Sequence, residues 1–523
     1  MNNHEAVLAV EDQATEFGLK GVTLRPRWRC TPTIWHAILI AATLLFSYSY
    51  FYGNREGWNQ ASRFDLVRAL VEEHRFSIDT YNQNTGDKAV WNGHFYSDKA
   101  PGLALSAVPV LEVVHAVLRA LHTDLSQAKS ITTEIYLVTI ICVALPCAVM
   151  AGCLFMVALK LGACVNGAGF AAVTLGLATP LCCYATLFWG HPLSAACLFF
   201  AFTFAVSLRE FDSRSRDLLL SISVGLAAGW ATVTEFPAAP AAVILALLVI
   251  AIAWPSGSER LTRVVTGVAV GALPCIIVLG VYNLLLFGSP FKLGYSISAQ
   301  QNWPLMKQGF MGVTYPKAYV LREILVGRYR GLLPLAPVLA AAPFGLILLW
   351  KQAKARVSTL AVTAIAIYYV LLNASYASWD GGWSYGPRHL SPALPFLSLP
   401  LGLLWTRSSR AVRSVLAVLW LYSASITLLG VSTVVMPTDV KSPVRELLWP
   451  TFHAGLIDKN LGMLIGLRGL ASLIPLFLVW GAAFAAWVWL RLSLAPKASE
   501  LTMTYRDSLG WRTRKDDLGT SCG

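Results

Sequence analysis

The sequence has few charged residues. Only 13% of its 523 residues are Asp, Glu, Lys or Arg, whereas 56% are hydrophobic. A soluble domain carries about 25% charged residues. Most of this chain is therefore expected to contact something other than water, and an ordinary soluble globular protein is excluded.

The chain also lacks the cysteine spacings that hold zinc or a disulfide framework. Eight of its ten cysteines lie in or beside apolar runs, where cysteine behaves as a small hydrophobe. No internal repeat and no convincing ligand set for a divalent ion are visible. The polar start of the chain, followed by Arg25, Arg27 and Arg29, is not typical of a cleavable signal peptide. The sequence indicates no metal ligands and no required cofactor, and it leaves open whether a divalent ion participates.

Long apolar runs are what the sequence has in abundance. Residues 131–159 and 264–287 contain few or no charges, and about 18 or more consecutive apolar residues are typical of a membrane-spanning helix. We predict an all-α polytopic membrane protein with about twelve (11–13) transmembrane helices. The predicted spans are 34–53, 131–158, 167–189, 191–208, 218–234, 236–254, 264–287, 332–350, 357–376, 390–405, 413–434 and 469–490.

The net charge of +13 indicates topology rather than a nucleic-acid partner. Most basic residues fall in short loops, which the positive-inside rule places in the cytoplasm. These loops are 209–216, 260–263, 351–356 and 407–413, with the basic tail near 512–515. The predicted organisation is a cytoplasmic tail (1–33), a transmembrane domain (34–490) with a large first outer loop (54–130), and a polar tail (491–523). The other predicted outer segments are 189–191, 288–331, 377–389 and 435–468.

Residues 102–121 are apolar enough to be a further span. If these residues crossed the membrane, every later loop would lie on the opposite side, and the basic loops would lie outside. Glu112, His115 and Arg119 also fall on one helical face. We therefore predict an amphipathic helix that lies at the membrane surface.

Candidate chemistry concentrates in the first outer loop, where residues 58–74 have the periodicity of a surface helix. Carboxylates beside cations can perform acid–base chemistry, although an ordinary solvated loop with ion pairs has the same composition. Asp98 and Lys99 adjoin the predicted surface helix, where a lysine can bind a phosphate or serve as an interface anchor. The candidate carboxylates in the loop include Glu56, Asp65, Asp79, Asp87 and Asp98, and the cations among them include Arg55, Arg63, Lys88 and Lys99.

Short motifs give the loop a family resemblance. Arg63-Phe64 is similar to an Arg-aromatic pair, and Asp98-Lys99-Ala100-Pro101 to an acidic-Lys-Pro-Pro stretch some thirty residues later. Gly381-Gly382-Trp383 with Gly386-Pro387-Arg388 is similar to a late outer loop. Together these resemble the GT-C membrane glycosyltransferases, in particular the bacterial branch related to the lipid A aminoarabinose transferase and the protein O-mannosyltransferases.

The resemblance implies transfer of a sugar from a polyprenyl-phosphate-linked donor to a lipid, glycan or protein acceptor. The reaction would take place at the outer face of the bacterial cytoplasmic membrane. Cations would stabilise the departing phosphate, with Lys99 the first choice and Arg63 and Arg388 next. A carboxylate would orient or deprotonate the acceptor. Asp79 or Asp87 is favoured for that role, with Asp98 sharing it or orienting Lys99.

The chain departs from the family pattern at the expected base. An Asp-Glu pair precedes the Arg-aromatic pair in the aminoarabinose transferases, but those positions fall near Gln60 and Ala61 here. An amide cannot take a proton, so the base must be Glu56, Asp65, Asp79 or Asp87.

Three further features have two interpretations each. His191 either replaces a second acid of the family or simply begins a helix at the membrane surface. Glu235 lies at the outer boundary of a span and is either functional or merely exposed. Four aromatic residues either form a wall for sugar rings or anchor loop 288–331 at the interface. These residues are Tyr295, Trp303, Tyr315 and Tyr319.

Two other classes of function stay open. A transporter or flippase for a polar lipid should show charged or broken helices at mid-bilayer and two similar halves, whereas the polar groups here crowd one outer loop. A non-catalytic relative that binds a lipid-linked sugar is compatible with the absent Asp-Glu pair.

Overall fold

A computed structural model describes residues 30–52, 57–122, 128–210, 213–298 and 308–493. Glu56, Trp303, the arginines of the N-terminal tail and the basic C-terminal tail lie outside these residues. The two predicted terminal segments, 1–33 and 491–523, are therefore described only at their inner ends.

Helices and strands are numbered here in chain order. The first part of the chain forms α1 (Cys30–Ser49), α2 (Trp58–Glu72), β1 (Lys88–Trp91), β2 (His94–Ser97), α3 (Gly102–Ala120), α4 (Ala128–Thr139), α5 (Leu145–Lys160) and α6 (Val165–Leu177). The middle part forms α7 (Leu181–Tyr184), α8 (Gly190–Ser207), α9 (Arg214–Thr234), α10 (Ala239–Ala253), α11 (Ser258–Phe287), α12 (Ala318–Val326), α13 (Leu332–Leu335) and α14 (Ala342–Lys351). The last part forms α15 (Arg356–Ser375), α16 (Leu394–Arg407), α17 (Arg410–Ser432), α18 (Trp449–His453), α19 (Leu461–Leu464) and α20 (Ile474–Ser493).

The fold is that of a polytopic helical membrane protein, as predicted. Within the described residues, nine helical segments are long and apolar enough to cross a membrane, and three further apolar helices are shorter. Eight of the nine correspond to predicted spans, the three shorter helices to 34–53, 167–189 and 332–350, and α16 to 390–405. The ninth segment is α3. Its predicted position at the membrane surface stays a prediction, because length and composition alone qualify it as a span.

Small residues bring α9 and α11 into close contact. A Cβ atom added at Gly225 would lie 2.0 Å from the Val268 carbonyl oxygen, and one added at Gly271 would lie 2.0 Å from the Ile222 carbonyl oxygen. Membrane helices associate through such small-residue surfaces, because lipid chains provide no hydrophobic drive between apolar helices. Substituting either glycine would force the two backbones apart.

The basic loops gather at one end of the bundle. Lys160 Nζ lies 2.9 Å from Glu210 Oε2, and the Arg209 guanidinium donates to the carbonyl of Lys354. Arg260 donates to the carbonyl that ends α8 at 2.7 Å. Three loops that the positive-inside rule assigns to the same side therefore meet. His191 and Glu235 lie at the opposite ends of α8 and α9.

The segment predicted as the first outer loop contains a helix and a hairpin. The predicted helix over 58–74 is observed as α2, and β1 pairs with β2 in the antiparallel register Lys88↔Ser97. The hairpin turns at Asn92 and Gly93, which have φ of 50° and 81°. Asn-Gly is the pair that favours this conformation in a two-residue turn. The hairpin returns the chain to the start of α3, where a Cβ at Gly102 would lie 2.6 Å from the Thr234 amide nitrogen.

Helix α3 packs antiparallel against α4. The Cys142 thiol contacts the Ser106 carbonyl at 3.7 Å, and further along α3 His115 meets Glu134. His115 is buried, whereas Glu112 and Arg119 are exposed. The three residues predicted to share one polar face of α3 therefore do not share one environment, because the His115 side chain packs against α4.

Candidate active site

Lys99 is a buried cation held by two carboxylates. It lies two residues after the end of β2, and its Nζ lies 2.9 Å from Asp87 Oδ2 and 3.1 Å from Asp98 Oδ1. The lysine side chain is only 3% exposed, and the Tyr295 ring lies 5.1 Å from Nζ. A snorkelling anchor keeps its ammonium in water, so the anchor interpretation of Lys99 does not fit this geometry.

Lys99 and its partners are electrostatically coupled. Burial would lower the pKa of Lys99, but Asp87 and Asp98 outweigh it and hold that pKa above its ordinary value. Burial raises the pKa of Asp98 to about 6, although Lys99 opposes the shift. Lys99 therefore remains an ammonium ion throughout the physiological range. An ammonium group has three donors. Asp98 Oδ1 lies at ion-pair distance but has no hydrogen-bond partner among the described residues, so at least one donor remains for a ligand.

Arg63 forms a second buried ion pair. Its Nη2 lies 2.6 Å from Glu235 Oε1, with side chains 1% and 7% exposed, and its Nη1 donates to the Ala100 carbonyl at 3.1 Å. His191 Nδ1 lies 3.5 Å from the same Glu235 oxygen. Glu235 is therefore buried rather than merely exposed, and it joins α2, α8 and α9. Burial raises the pKa of Glu235, while Arg63 chiefly opposes the shift.

Gly190 makes room for this pair. A Cβ atom there would lie 2.2 Å from Glu235 Oε1 and 3.0 Å from both Arg63 terminal nitrogens. Any larger residue would therefore collide with the buried charges. This contact explains the glycine in the Trp-Gly-His turn, which the sequence alone does not explain.

Arg388 is contributed by the late outer loop. Its guanidinium lies 5.2 Å from the centre of the Trp189 ring, and it acts electrostatically on Glu235 together with Arg63 and Lys99. Within the described part of the chain, Arg388 forms no ion pair and its buried Nε has no hydrogen-bond partner. The loop reaches this position through Gly381 and Gly386, which have φ of 74° and 70°.

A cavity of about 860 Å³ opens beside these groups. It lies between α2, α4 and the loop that precedes Arg388, and both Arg388 and Lys99 line it. Three tryptophans also line it, and an apolar side is formed by residues of α4. The tryptophans are Trp58, Trp189 and Trp383, and the apolar residues of α4 are Ile131 and Ile135.

Asp65 is a carboxylate of this cavity that is not committed to a cation. Its Oδ1 accepts from Asn84 Nδ2 at 3.0 Å, whereas its buried Oδ2 has no hydrogen-bond partner among the described residues. Burial raises the pKa of Asp65 to about 7, against the opposing hydrogen bond from Asn84. A carboxyl group with this pKa can exchange a proton near neutral pH.

Asp79 lies apart from the other predicted residues. Its carboxylate accepts from the Phe95 amide at 2.7 Å and lies 2.8 Å from His94 Nδ1. Partial burial raises the pKa of Asp79, but these two contacts outweigh it and leave the pKa below its ordinary value. Asp79 does not line the cavity. Its observed contacts hold the hairpin, a role that the sequence alone does not indicate.

The structure therefore brings together most of the predicted site residues. Asp87, Asp98 and Lys99 form one group, and Arg63, His191 and Glu235 form an adjoining one. Arg388 completes the cluster, and Asp79 does not join it.

Gln60 occupies the position where the resembled family has an acid. Its Oε1 accepts from the Phe188 amide at 3.1 Å. It therefore supports the turn that precedes Gly190 and His191. An amide performs this role without a buried negative charge.

The described aromatic residues of loop 288–331 differ in position, and none of the three predicted tyrosines lines the cavity. Tyr295 lies over Lys99 and packs against Phe236. Tyr315 and Tyr319 are 71% and 59% exposed, as interface anchors would be. Tyr295 is thus the aromatic residue of this loop that belongs to the site.

The comparisons with known proteins give structural neighbours alone. No protein-family model matches the chain, and no curated protein matches it. The structure is similar to that of ArnT from Cupriavidus metallidurans bound to undecaprenyl phosphate, with 16% identity and a TM-score of 0.49 over 73% of this chain and 62% of that one. The apo state of the same protein matches with 14% identity and a TM-score of 0.49, over 86% and 72%.

An archaeal structure is also similar. It is the oligosaccharyltransferase of Archaeoglobus fulgidus in the apo form, with 10% identity and a TM-score of 0.43 over 77% of this chain and 56% of that one. These neighbours are membrane glycosyltransferases of the GT-C fold, the class that the sequence motifs resemble. The chain covers less than two thirds of the length of the ArnT chain with bound lipid.

Removing the charge of Glu235 should destabilise the protein. In Glu235→Gln, Arg63 is left buried without its counter-ion, which typically costs about 3–5 kcal/mol. We expect a clearly lower thermal unfolding midpoint in detergent. Glu259→Gln is the matched control, because Glu259 is 83% exposed and pairs with an arginine on the surface. Equal midpoints for both variants would contradict the structural role of the buried pair.

Proposed function

We propose that this protein transfers a sugar from a polyprenyl-phosphate-linked donor to an acceptor at the outer face of the bacterial cytoplasmic membrane. The observation that carries the proposal is a cavity lined by three cations, Lys99, Arg388 and Arg68, and by the carboxylates of Asp65 and Asp87. Arg68 is already paired with Glu72, which leaves Lys99 and Arg388 for a phosphate. Cations suit a departing phosphate, and a carboxylate near neutral pKa suits an acceptor hydroxyl.

The phosphate of the donor would lie between Lys99 and Arg388. Lys99 has at least one donor beyond those that its carboxylates engage, and Arg388 has no ion pair among the described residues. Asp87 and Asp98 fix the ammonium position before the donor binds. Preorganised charges cost no reorganisation when negative charge develops on the leaving group.

The rest of the donor fits the remaining surfaces of the cavity. The apolar side formed by α4 suits an isoprenoid chain, because burying hydrocarbon away from water is favourable. The tryptophans suit a sugar ring, since aromatic faces pack against apolar C–H surfaces while leaving hydroxyl groups free to hydrogen-bond. A lipid-linked donor also avoids the need for nucleotide sugars outside the cytoplasmic membrane.

In the proposed reaction an acceptor hydroxyl oxygen attacks the anomeric carbon of the sugar. The bond between that carbon and the phosphate oxygen breaks, and its electron pair passes to the phosphate. Asp65 takes the acceptor proton through the oxygen that has no hydrogen-bond partner. The products are the glycosylated acceptor and polyprenyl phosphate. Asp98, which contacts Lys99, positions the ammonium and does not reach the acceptor.

Donor cleavage by the purified protein tests this proposal. Full-length protein in liposomes is supplied with short-chain polyprenyl-phosphate sugars and a panel of lipid and glycan acceptors, and released polyprenyl phosphate is measured by mass spectrometry. We expect release that depends on both the protein and an acceptor. Movement of intact donor between leaflets without cleavage would instead support a flippase, and tight binding without cleavage would support a non-catalytic binder.

A further inference from the structure

A second cluster of polar groups lies at the junction of α2, α3 and α4. It consists of Glu72, His115 and Glu134. One ligand atom from each of these residues lies within 4.8 Å of the other two. His115 and Glu134 are buried, with side chains 3% and 2% exposed, whereas Glu72 is accessible to solvent. None of the three is used in the proposed transfer reaction.

The His115–Glu134 contact does not have the geometry of a hydrogen bond. His115 Nε2 lies 3.3 Å from Glu134 Oε1, yet this buried nitrogen has no hydrogen-bond partner among the described residues. Two atoms that bind one tetrahedral zinc ion at about 2.0–2.1 Å lie roughly 3.3 Å apart. The separation of these two atoms matches that of two ligands of one ion, and the Glu72 ligand atom, within 4.8 Å of both, would move closer when an ion binds.

The surroundings of Glu72 support the same interpretation. Arg68 donates to both of its oxygens, at 2.9 and 3.1 Å, and the Tyr81 hydroxyl donates to Oε2 at 2.8 Å. These bonds occupy both lone pairs of Oε2 and one of Oε1, so Glu72 can still bind a cation through Oε1. Ligating carboxylates are usually oriented by outer hydrogen bonds of this kind.

We propose that Glu72, His115 and Glu134 form a site for a divalent transition-metal ion, with Zn²⁺ as the preferred ion. One imidazole and two carboxylates match zinc chemistry, and the fourth position is left for water. The ion would connect α2, α3 and α4. Arg68 and Ile135, on α2 and α4, line the large cavity, so the ion would fix one wall of that cavity without contacting the donor.

Metal binding by the full-length protein in detergent tests the site. The protein is stripped with a chelator, titrated with Co²⁺ to follow its visible ligand-field bands, and then with Zn²⁺ to displace the Co²⁺. We expect one ion per chain, four-coordinate Co²⁺ bands, and a thermal unfolding midpoint that rises with Zn²⁺ concentration.

Substitutions at two of the ligands separate metal binding from folding. His115→Gln and Glu72→Gln should each weaken Zn²⁺ binding by at least about tenfold and abolish the four-coordinate bands. Because Glu72 is accessible, Glu72→Gln should fold normally even if His115→Gln does not. Glu112→Gln, an exposed change on α3, is the matched control and should bind as wild type. Absent Co²⁺ bands in wild type, or unchanged affinity in Glu72→Gln, would overturn the site and leave a histidine–carboxylate contact only.

Discussion

Replacing Lys99 by alanine should abolish sugar transfer. Lys99 is the buried cation of the cavity whose position two carboxylates fix. Removing one preorganised group that stabilises developing charge costs about 10²–10³-fold in kcat. We expect a loss of this size or greater, together with weaker binding of polyprenyl phosphate, when both are measured on the same preparation in detergent.

Two further lysine variants keep this test informative. Lys99→Ala leaves Asp87 and Asp98 without their cation, so its fold must be checked by size-exclusion chromatography and thermal unfolding. Lys99→Arg keeps the charge and should recover part of the binding. Lys292→Ala is the matched control, since Lys292 lies over the Trp91 ring and does not line the cavity. Wild-type turnover in folded Lys99→Ala would remove the leaving-group role.

Replacing Asp65 by asparagine should remove the general base. The pKa of Asp65 is raised by burial to about 7, and a base acts only when it is deprotonated. Wild-type kcat should therefore rise with pH through about 7 and fall roughly tenfold for each pH unit below it. Asp65→Asn should lower kcat by about 10²–10⁴-fold and eliminate this acidic limb, as a pH–rate profile would show.

The other carboxylates of the loop provide the comparison. Asp87→Asn should weaken phosphate binding through Lys99 while keeping the acidic limb, because Asp87 pairs with the ammonium. Asp79 bonds to the hairpin and should affect stability more than kcat. If Asp79→Asn or Asp87→Asn lost the acidic limb while Asp65→Asn kept it, the base would be the carboxylate favoured from the sequence and not Asp65.

The membrane architecture was accessible from sequence because it depends on local composition. A run of apolar residues must form a helix in the bilayer, where each backbone polar group needs an internal partner. Eleven of the twelve predicted spans correspond to apolar helices of the described residues, and the twelfth, 390–405, overlaps α16. Charge patterning likewise grouped Arg209 and Lys354 on one side, and these residues are in contact.

The site was only partly accessible from sequence. Asp98 and Lys99 could be paired because they are adjacent, and Asp87 belongs to the same loop. The pairing of Arg63 with Glu235 joins residues 172 positions apart, and no local pattern encodes it. The one indication of this pair in the sequence was that Glu235 lies at the end of the apolar span 218–234. His115 and Glu134 were missed because their contact depends on how α3 packs against α4.

Asp65 and Asp79 show why composition cannot assign the base. Both are acidic residues of one loop, and their pKa values move in opposite directions. Asp65 faces the cavity from α2, where burial penalises its charge. Asp79 accepts hydrogen bonds from the hairpin, which stabilise its charge. The difference arises from the hairpin and from helix packing, and neither can be deduced from the spacing of the two residues.

The central claim is that the cavity lined by Lys99 and Arg388 binds the phosphate of a polyprenyl phosphate. A cryo-EM structure of the full-length protein with polyprenyl phosphate tests this claim most directly. We predict phosphate density within hydrogen-bond distance of Lys99 Nζ and the Arg388 guanidinium, with the isoprenoid chain along α4. Phosphate density bound elsewhere on the protein, with Lys99 still enclosed by its carboxylates alone, would contradict the claim.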